Sequence, residues 1–196
     1  MKNDSWKNLL NPETLKSNLI ISSMYITAFE LLKDNIEHYP KVFFSEGYNS
    51  KGMKLGQSYK EKVSSLNKSH VYAALEWFKN MEAITEEDIK KFNEIKNFRN
   101  KLVHEMGERM FKGIDQEKYT ELFANLFYLF EKIDLWWIKN FELALNTEID
   151  LEGADVESAL SSELLMIRVM MDIVSSDEED SWMYYNSIFK SENNEK

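Results

Sequence analysis

Turn-forming residues are scarce in this chain, and their scarcity restricts the folds open to it. The 196 residues include only six glycines and two prolines. A chain built from β-strands needs turn residues roughly every 8–12 positions, far more than this sequence supplies. Hydrophobic residues make up 43% of the chain and aromatic residues 13%, which is enough to build a sizeable core. We therefore predict an all-α fold.

Apolar residues at helical spacing predict a bundle of about four core helices. Asn11 and Pro12 suit the cap and first turn of the first helix, and the helical pattern stops at Tyr39-Pro40. Residues 46–52 then indicate a loop, and a second helical region spans about residues 55–81.

The third and fourth helices carry the clearest signals. Thr85 is followed by three acidic residues, so the third helix should cover residues 86–105 and stop by Gly107. The fourth helix starts near Asp115 and is apolar on nearly every side as far as about residue 143. Such a helix is either a central core element or one that also faces a partner subunit.

The last quarter of the chain differs from the rest. We assign residues 1–145 to the helical bundle and residues 146–196 to an acidic helical extension packed on or beside it. Two shorter helices are predicted in the extension, about residues 158–174 and 178–189, followed by a frayed tail. The acidic run at residues 177–180 is either a solvated helix start or a decoy for a basic partner.

Composition and charge exclude several kinds of chemistry. The formal net charge of −10 argues against tight, sequence-independent binding of long nucleic acid, but it leaves RNA open as a substrate of a local cleft. Cysteine is absent, so disulfides, thiolate metal sites and a cysteine nucleophile are excluded. The three histidines show no metal-ligand spacing and no glycine-rich phosphate loop occurs, so we predict neither a metal nor a cofactor. No signal peptide or membrane-spanning stretch is recognisable, which predicts a cytoplasmic protein without a membrane partner.

One segment, Phe98-Arg99-Asn100-Lys101-Leu102-Val103-His104-Glu105, concentrates residues suited to chemistry. Arg99 could stabilise negative charge on a phosphate, His104 could transfer a proton near neutral pH, and Asn100 could orient either one. These three candidate catalytic residues form a minimal set for phosphodiester chemistry without a metal.

Helix geometry separates these side chains. At about 100° per residue, Asn100 and His104 share a polar stripe, whereas Arg99 projects from the apolar sector of the same helix. A guanidinium rooted there must reach solvent or find a buried acceptor. Glu30, an acid within an apolar helix face, is the partner that we expect for Arg99.

Each of these residues also has a purely structural interpretation. Arg99 could brace the bundle through a carboxylate on another helix, with His104 an ordinary surface histidine. Lys96 and Lys101 flank the motif and could contact an RNA backbone, or they could be ordinary exposed lysines. The remaining candidates are better explained by capping or packing than by base stacking or metal binding: His38, His70, Trp136 and Trp137.

Residues 98–104 resemble the motif of the HEPN superfamily, an arginine and a histidine separated by four to six residues. The match has the common form in which a polar residue directly follows the arginine. Its context agrees, since the motif ends the third helix and a long apolar helix follows; the resemblance covers about residues 12–145. It implies a homodimer whose two motifs face each other across a cleft. Active members are metal-independent endoribonucleases of toxin–antitoxin, phage-defence and CRISPR-type systems.

The resemblance also implies roles for the matching positions. Arg99 would contact the scissile phosphate, and Asn100 would support the site. His104 would take part in proton transfer while the RNA 2′-hydroxyl attacks the adjacent phosphorus, giving a cyclic phosphate and a free 5′-hydroxyl. DNA lacks that hydroxyl and should resist. An antitoxin or another defence-system protein is a further expected partner.

Two features of the family qualify these expectations. HEPN toxins paired with a nucleotidyltransferase antitoxin often carry a tyrosine two residues after the histidine, and here that position is Met106. Many HEPN domains are not catalytic and bind RNA, a nucleotide or a protein partner instead. A non-catalytic binding module is therefore the alternative function.

Overall fold

The structure, a computed structural model, describes residues 2–50, 52–143, 159–176 and 180–190. It confirms the all-α prediction, since these residues are mostly helical and include one small sheet. The helices are α1 (Lys2–Leu10), α2 (Pro12–Phe43), α3 (Gln57–Tyr59), α4 (His70–Asn80), α5 (Glu86–His104), α6 (Met106–Lys112), α7 (Gln116–Trp137), α8 (Ser162–Ser175) and α9 (Met183–Tyr185). Wider π-helical turns continue three of them: Lys60–Ser64 after α3, Ile138–Glu142 after α7 and Asn186–Lys190 after α9. A 3-10 turn, Asp180–Trp182, precedes α9.

Helices α2 and α5 pack antiparallel and form the centre of the bundle. The rings of Phe29 and Phe92 stack at 5.8 Å, and those of Tyr25 and Phe98 meet edge-on at 5.0 Å. The Tyr25 hydroxyl also donates to the carbonyl oxygen of Ile95 at 3.2 Å. Because this hydroxyl is buried, the bond fixes α5 along α2 while satisfying a polar atom within the core.

Helix α7 packs against both α2 and α5, and one side of it is buried in the core. It runs in the same direction as α2, since Tyr25 contacts Phe123 near the start of α7 and Tyr39 stacks on Trp137 at its end. Asp115 caps α7 by accepting a hydrogen bond from the Lys118 amide at 3.0 Å. The buried residues of α7 are Leu122, Phe123, Leu126, Leu129, Phe130, Ile133, Asp134 and Trp137.

The described part of the C-terminal extension packs onto this bundle. Leu164 and Ile167 of α8 belong to the same buried cluster as the core of α2 and α7. Arg168 forms an ion pair with Glu131 of α7. Helix α8 begins four residues later than predicted, because Ser161 caps it by accepting from the Leu164 amide at 3.1 Å. The predicted link before α8 and the frayed tail lie outside the described residues.

The first predicted helix boundary is wrong by one turn. We expected the helix to stop at Tyr39-Pro40, but α2 continues through Pro40 to Phe43. Proline removes one hydrogen bond from the ladder, and packing compensates for it. The rings of Phe43 and Phe44 lie 5.7 and 6.1 Å from that of Trp77 on α4.

The predicted loop and second helix are also corrected. Residues 46–52 lie mostly within a β-hairpin formed by β1 (Ser45–Asn49) and β2 (Gly52–Leu55), which pair antiparallel with Tyr48 opposite Met53. Gly52 adopts a φ of 108°, a conformation that favours glycine. The second region then divides into α3 and α4, because the Asn67 side chain accepts from the Ser69 amide at 3.0 Å and forms a turn.

Two short helices were not predicted. Helix α1 precedes α2, and helix α6 follows α5 almost directly, so Gly107 lies inside a helix and does not stop one. Gly113, with a φ of 84°, ends α6 instead. Among the described residues, no helix combines the length and apolarity needed to cross a bilayer.

Candidate active site on helix α5

The N-terminal end of α5 is fixed by a buried carboxylate. Asp88 is 3% exposed and accepts hydrogen bonds from the Thr85 amide and hydroxyl, each at 2.8 Å, and from Lys132 of α7 at 2.6 Å. The Thr85 hydroxyl accepts in turn from the Asp88 amide, which completes a capping box. Burial opposes ionisation of Asp88, but these hydrogen bonds outweigh it and lower its pKa. The helix that carries the motif therefore starts from a well-defined point.

The structure places Arg99 between two helices and orients its guanidinium. One terminal nitrogen donates to Glu30 of α2, the acid expected from the sequence, and the other donates to the Asn100 side chain at 3.2 Å. The guanidinium carbon also lies 5.6 Å from the centre of the Phe29 ring. The Arg99 side chain keeps 26% of its surface exposed. It is thus both held in place and accessible.

His104 follows Arg99 by five residues in the sequence. The hydrogen bonds described for Arg99 lead to Glu30 and Asn100, not to His104. His104 is the last residue of α5 and is exposed, and the helix ends there because Glu105 leaves the helical conformation, with a φ of −106° and a ψ of 15°. Five positions along a helix turn about 140°, so Arg99 and His104 point to different sides of α5. Asn100, half-buried and one turn before His104, lies between them on the helix surface.

Lys96 is engaged in a contact that the sequence did not reveal. Its ammonium donates to the Tyr72 hydroxyl of α4 and lies 4.6 Å from the centre of that ring. The Tyr72 hydroxyl donates onward to the Asn93 side chain. Lys96 and Arg99 share one flank of α5, and Tyr72 thereby connects α4 to this flank. In the sequence Tyr72 stands between Val71 and Ala73, and this apolar context does not predict a polar contact with α5.

Lys101 lies on the opposite flank of α5, about 160° from Arg99 on an ideal helix. It lines a groove of about 290 Å³ between α5 and α7. Lys118 and Glu121 of α7 form the other wall, and Asn97 lies beside Lys101. The structure therefore does not bring Lys96 and Lys101, the two predicted backbone contacts, into one groove.

Several buried polar atoms near the motif lack a hydrogen-bond partner within the described chain. They are Asn18 Nδ2 and Ser22 Oγ on α2, Arg99 Nε on α5 and Arg109 Nε on α6. The α2 residues lie beside the C-terminal end of α5, because α2 is antiparallel to α5 and both residues precede Tyr25, which contacts Phe98. Arg109 does pair through its terminal nitrogen with Glu105 at 2.8 Å. Unpaired buried polar groups are uncommon in stable cores and often mark functional regions.

The other candidates lie away from the motif or within the core. His38 is exposed near the other end of the bundle and His70 is exposed at the start of α4. Trp137 is buried against Tyr39, and Trp136 packs edge-on against Trp77, so both tryptophans serve packing. No three His, Asp or Glu side chains of the described part of the chain converge as metal ligands would.

The net charge is distributed unevenly along the chain. Residues 146–196 contain 13 acidic residues and three Lys or Arg, whereas residues 1–145 contain 21 of each. The bundle that carries the motif is therefore formally neutral, and the charge of −10 belongs to the C-terminal segment. The acidic composition noted from the sequence is thus concentrated in the C-terminal segment.

Comparison with known proteins identified no relatives: no family model, curated protein or solved structure matches this chain.

Proposed function

We propose that this chain is a HEPN-type, metal-independent endoribonuclease of the toxin or antiviral-defence kind, acting in the cytoplasm as a homodimer. The observation that carries the proposal is the arrangement on α5. Arg99 is oriented by Glu30 and Asn100 and stays partly exposed, and His104 is exposed at the end of the same helix. The resemblance of residues 98–104 to the HEPN motif assigns a reaction to this arrangement.

In the proposed reaction, the 2′-hydroxyl of RNA attacks the adjacent phosphorus. The new bond joins O2′ to phosphorus, the bond from phosphorus to O5′ breaks, and the products carry a 2′,3′-cyclic phosphate and a 5′-hydroxyl. Arg99 stabilises the negative charge that grows on the phosphate oxygens, and His104 transfers a proton to or from the reacting oxygens. Asn100 holds the guanidinium in place, and no step needs a metal ion.

The homodimer is part of the proposal for a geometric reason. Within one copy, Arg99 and His104 diverge by about 140° around α5. A second copy facing the first would place both residue types along one cleft. RNA crossing the solvent face of α5 would meet Lys96 from one flank and Lys101 from the other, which are the proposed backbone contacts. Residues 1–145 carry no net formal charge, so they add no net long-range repulsion toward RNA.

The alternative is a non-catalytic HEPN module that binds RNA, a nucleotide or a protein partner, such as an antitoxin or another defence protein. One observation favours it. Glu30 neutralises Arg99 in the single copy, and Lys33 lies 3.8 Å from the same carboxylate. An arginine satisfied in this way can serve as a brace between α2 and α5 without contacting a substrate.

Cleavage of RNA in the presence of EDTA tests the proposal. We expect the wild-type chain to cut RNA and to leave cyclic phosphate ends, and an RNA carrying 2′-deoxy residues to resist. Arg99→Ala and His104→Ala should each lower the rate about 10²- to 10⁴-fold, the usual contribution of such groups. His70→Ala removes another exposed histidine and should change nothing.

The alternative gives a different result in the same experiment. RNA that stays intact with the wild-type chain, while still binding it, supports the non-catalytic module. Loss of cleavage on adding EDTA would contradict the metal-independent mechanism. Light scattering at micromolar concentration tests the dimer separately, and a monomer that cleaves RNA would contradict the composite cleft but not the nuclease.

A further inference from the structure

Helix α8 is apolar on two opposite sides. One side carries Leu164 and Ile167 into the core. On the other side Leu165, Met166 and Ile173 expose 53%, 44% and 41% of their surfaces. A surface helix normally presents charged or polar residues to solvent, and a second apolar side marks a binding surface.

The segment after α8 enlarges this apolar area. Trp182 and Met183 expose more than half of their surfaces. The Tyr184 hydroxyl donates to Asp172 of α8 at 2.6 Å, which fixes the segment beside the helix. We call Leu165, Met166, Ile173, Trp182 and Met183 the C-terminal apolar surface. Exposed Trp and Met side chains are the types enriched where proteins bind one another.

A groove beside α8 offers an anchoring point for a partner side chain. It has a volume of about 410 Å³ and lies between α2, α7 and α8. Its walls are almost entirely apolar, with Met24 on α2, Phe123 and Phe127 on α7, and Met171 and Val174 on α8. Val174 directly follows Ile173, so the groove adjoins the C-terminal apolar surface. Interfaces gain most of their affinity from a few large side chains buried in such pockets.

Charge identifies the kind of partner. The segment that contains this surface holds the entire net charge of −10. A second copy of the chain docking here would bring two such segments together well within the screening length of about 8 Å, and like charges would oppose it. A basic partner gains instead, because Glu163, Asp172 and Asp180 lie on the elements that form this surface, and the acidic run 177–180 stands between α8 and Trp182 in the sequence.

We propose that the C-terminal apolar surface binds a basic amphipathic helix of a partner protein. Apolar residues at helical spacing on the partner contact Leu165, Met166 and Ile173, and one of its large side chains enters the groove beside α8. Its Lys and Arg residues pair with the acidic residues of α8 and of the turn that follows it, Glu163, Asp172 and Asp180. This inference uses none of the motif residues, so it stands or falls independently of the proposed nuclease.

Synthetic peptides of about five helical turns, each with a fluorescent label, provide the probe. The first peptide carries leucines along one face and lysines on the other, the second has the same composition in scrambled order, and the third replaces lysine by glutamate. Fluorescence anisotropy with the full chain should detect the first peptide at micromolar concentrations. We expect the scrambled peptide to bind about tenfold more weakly, and the acidic peptide not to bind.

The variant Met166→Glu/Ile173→Glu makes the test specific. It adds negative charge to the proposed surface, so binding driven by charge alone would become tighter. Our proposal requires the opposite, a loss of about tenfold or more, because the apolar contact is removed. Tyr48→Glu, at an exposed position of the hairpin, adds charge elsewhere and should leave affinity unchanged within about twofold.

Three results would overturn the proposal. They are equal binding of the ordered and scrambled basic peptides, undiminished binding by Met166→Glu/Ile173→Glu, and a dimer in solution that this same variant dissociates. The last result would assign the surface to a second copy of the chain. Because all the substituted side chains are exposed, circular dichroism should show unchanged folding in every variant.

Discussion

The two ends of α5 are built in opposite ways. At its N-terminal end, which we call the anchored end, Asp88 is buried and accepts three hydrogen bonds from Thr85 and Lys132. At the motif end, which comprises residues 99–109 with Asn18 and Ser22 of α2, Arg99 is only partly buried and His104 is exposed. Four buried polar atoms of the motif end lack a partner within the described residues.

This difference indicates which end is built for stability. Each buried polar atom without a partner costs roughly 1–3 kcal/mol, so a region that retains several of them is stabilised by any molecule that supplies the missing hydrogen bonds. Natural proteins break the rules of polar satisfaction mainly at functional sites and compensate elsewhere. The anchored end supplies that compensation on the same helix.

The largest contrast should come from removing one carboxylate at each end. Asp88→Ala destroys the capping box and leaves Lys132 without its partner, so we expect a loss of about 3 kcal/mol in the free energy of unfolding. Glu30→Ala removes the partner of Arg99, but both side chains are partly exposed, so we expect a loss of no more than about 1 kcal/mol. Urea denaturation measures both values.

The neighbouring exposed acid provides a control for this pair. The Glu87 side chain is about two-thirds exposed and contacts only Lys90 among the ion pairs described. Glu87→Ala should therefore change stability by less than about 0.5 kcal/mol. If Glu30→Ala proves as costly as Asp88→Ala, the motif end is a structural anchor as well, and the non-catalytic interpretation of Arg99 gains support.

A second contrast uses two buried carboxylates whose pKa values shift in opposite directions. Asp134 of α7 is fully buried beside Tyr39 and Asn35, and its burial raises its pKa despite the hydrogen bonds that it accepts from these two residues. The folded state therefore holds the Asp134 proton more tightly than the unfolded state, and stability falls as pH rises above the ordinary carboxyl range. For Asp88, whose pKa is lowered, the stabilisation is complete above the ordinary carboxyl range and is lost as pH falls below that range.

The corresponding asparagine variants separate these effects. Relative to wild type, Asp134→Asn should be more favourable at pH 7 than at pH 4, because it removes the penalty of ionising a buried group. Asp88→Asn should be less favourable at pH 7 than at about pH 3, below the ordinary carboxyl range, because it removes a charge that Lys132 stabilises. Urea denaturation at each pair of pH values gives the sign for each variant, and equal signs would contradict the pKa shifts.

The sequence predicted the anchored end of α5 better than it predicted the motif end. The start of α5 was predicted to the residue because Thr85 and the acids that follow form a local signal, and Asp115 marked the start of α7 in the same way. The position of Glu30 against Arg99 was also expected, since an acid on an apolar helix face needs a buried partner.

Features that depend on contacts between distant segments could not be predicted. Nothing in the sequence around Tyr72 indicates its bond to Asn93, and nothing around Pro40 reveals that aromatic contacts with α4 carry α2 one turn further. Gly107 resembled a helix stop because glycine often ends helices. Gly107 lies inside α6 instead, and α6 packs against α1, a contact that the local sequence does not reveal.

A small expected effect concerns that glycine, three residues after His104. Gly107 lies inside α6, and a Cβ atom built on it would meet nothing within 4 Å. Gly107→Ala should therefore stabilise the chain by about 0.5–1 kcal/mol, because alanine loses less backbone entropy in a helix. Gly113→Ala is the matched opposite, since a φ of 84° strains alanine and should cost about 1 kcal/mol. Thermal unfolding distinguishes the two signs. A loss of stability in Gly107→Ala would mean that the motif end is packed more closely than its unpaired polar atoms suggest.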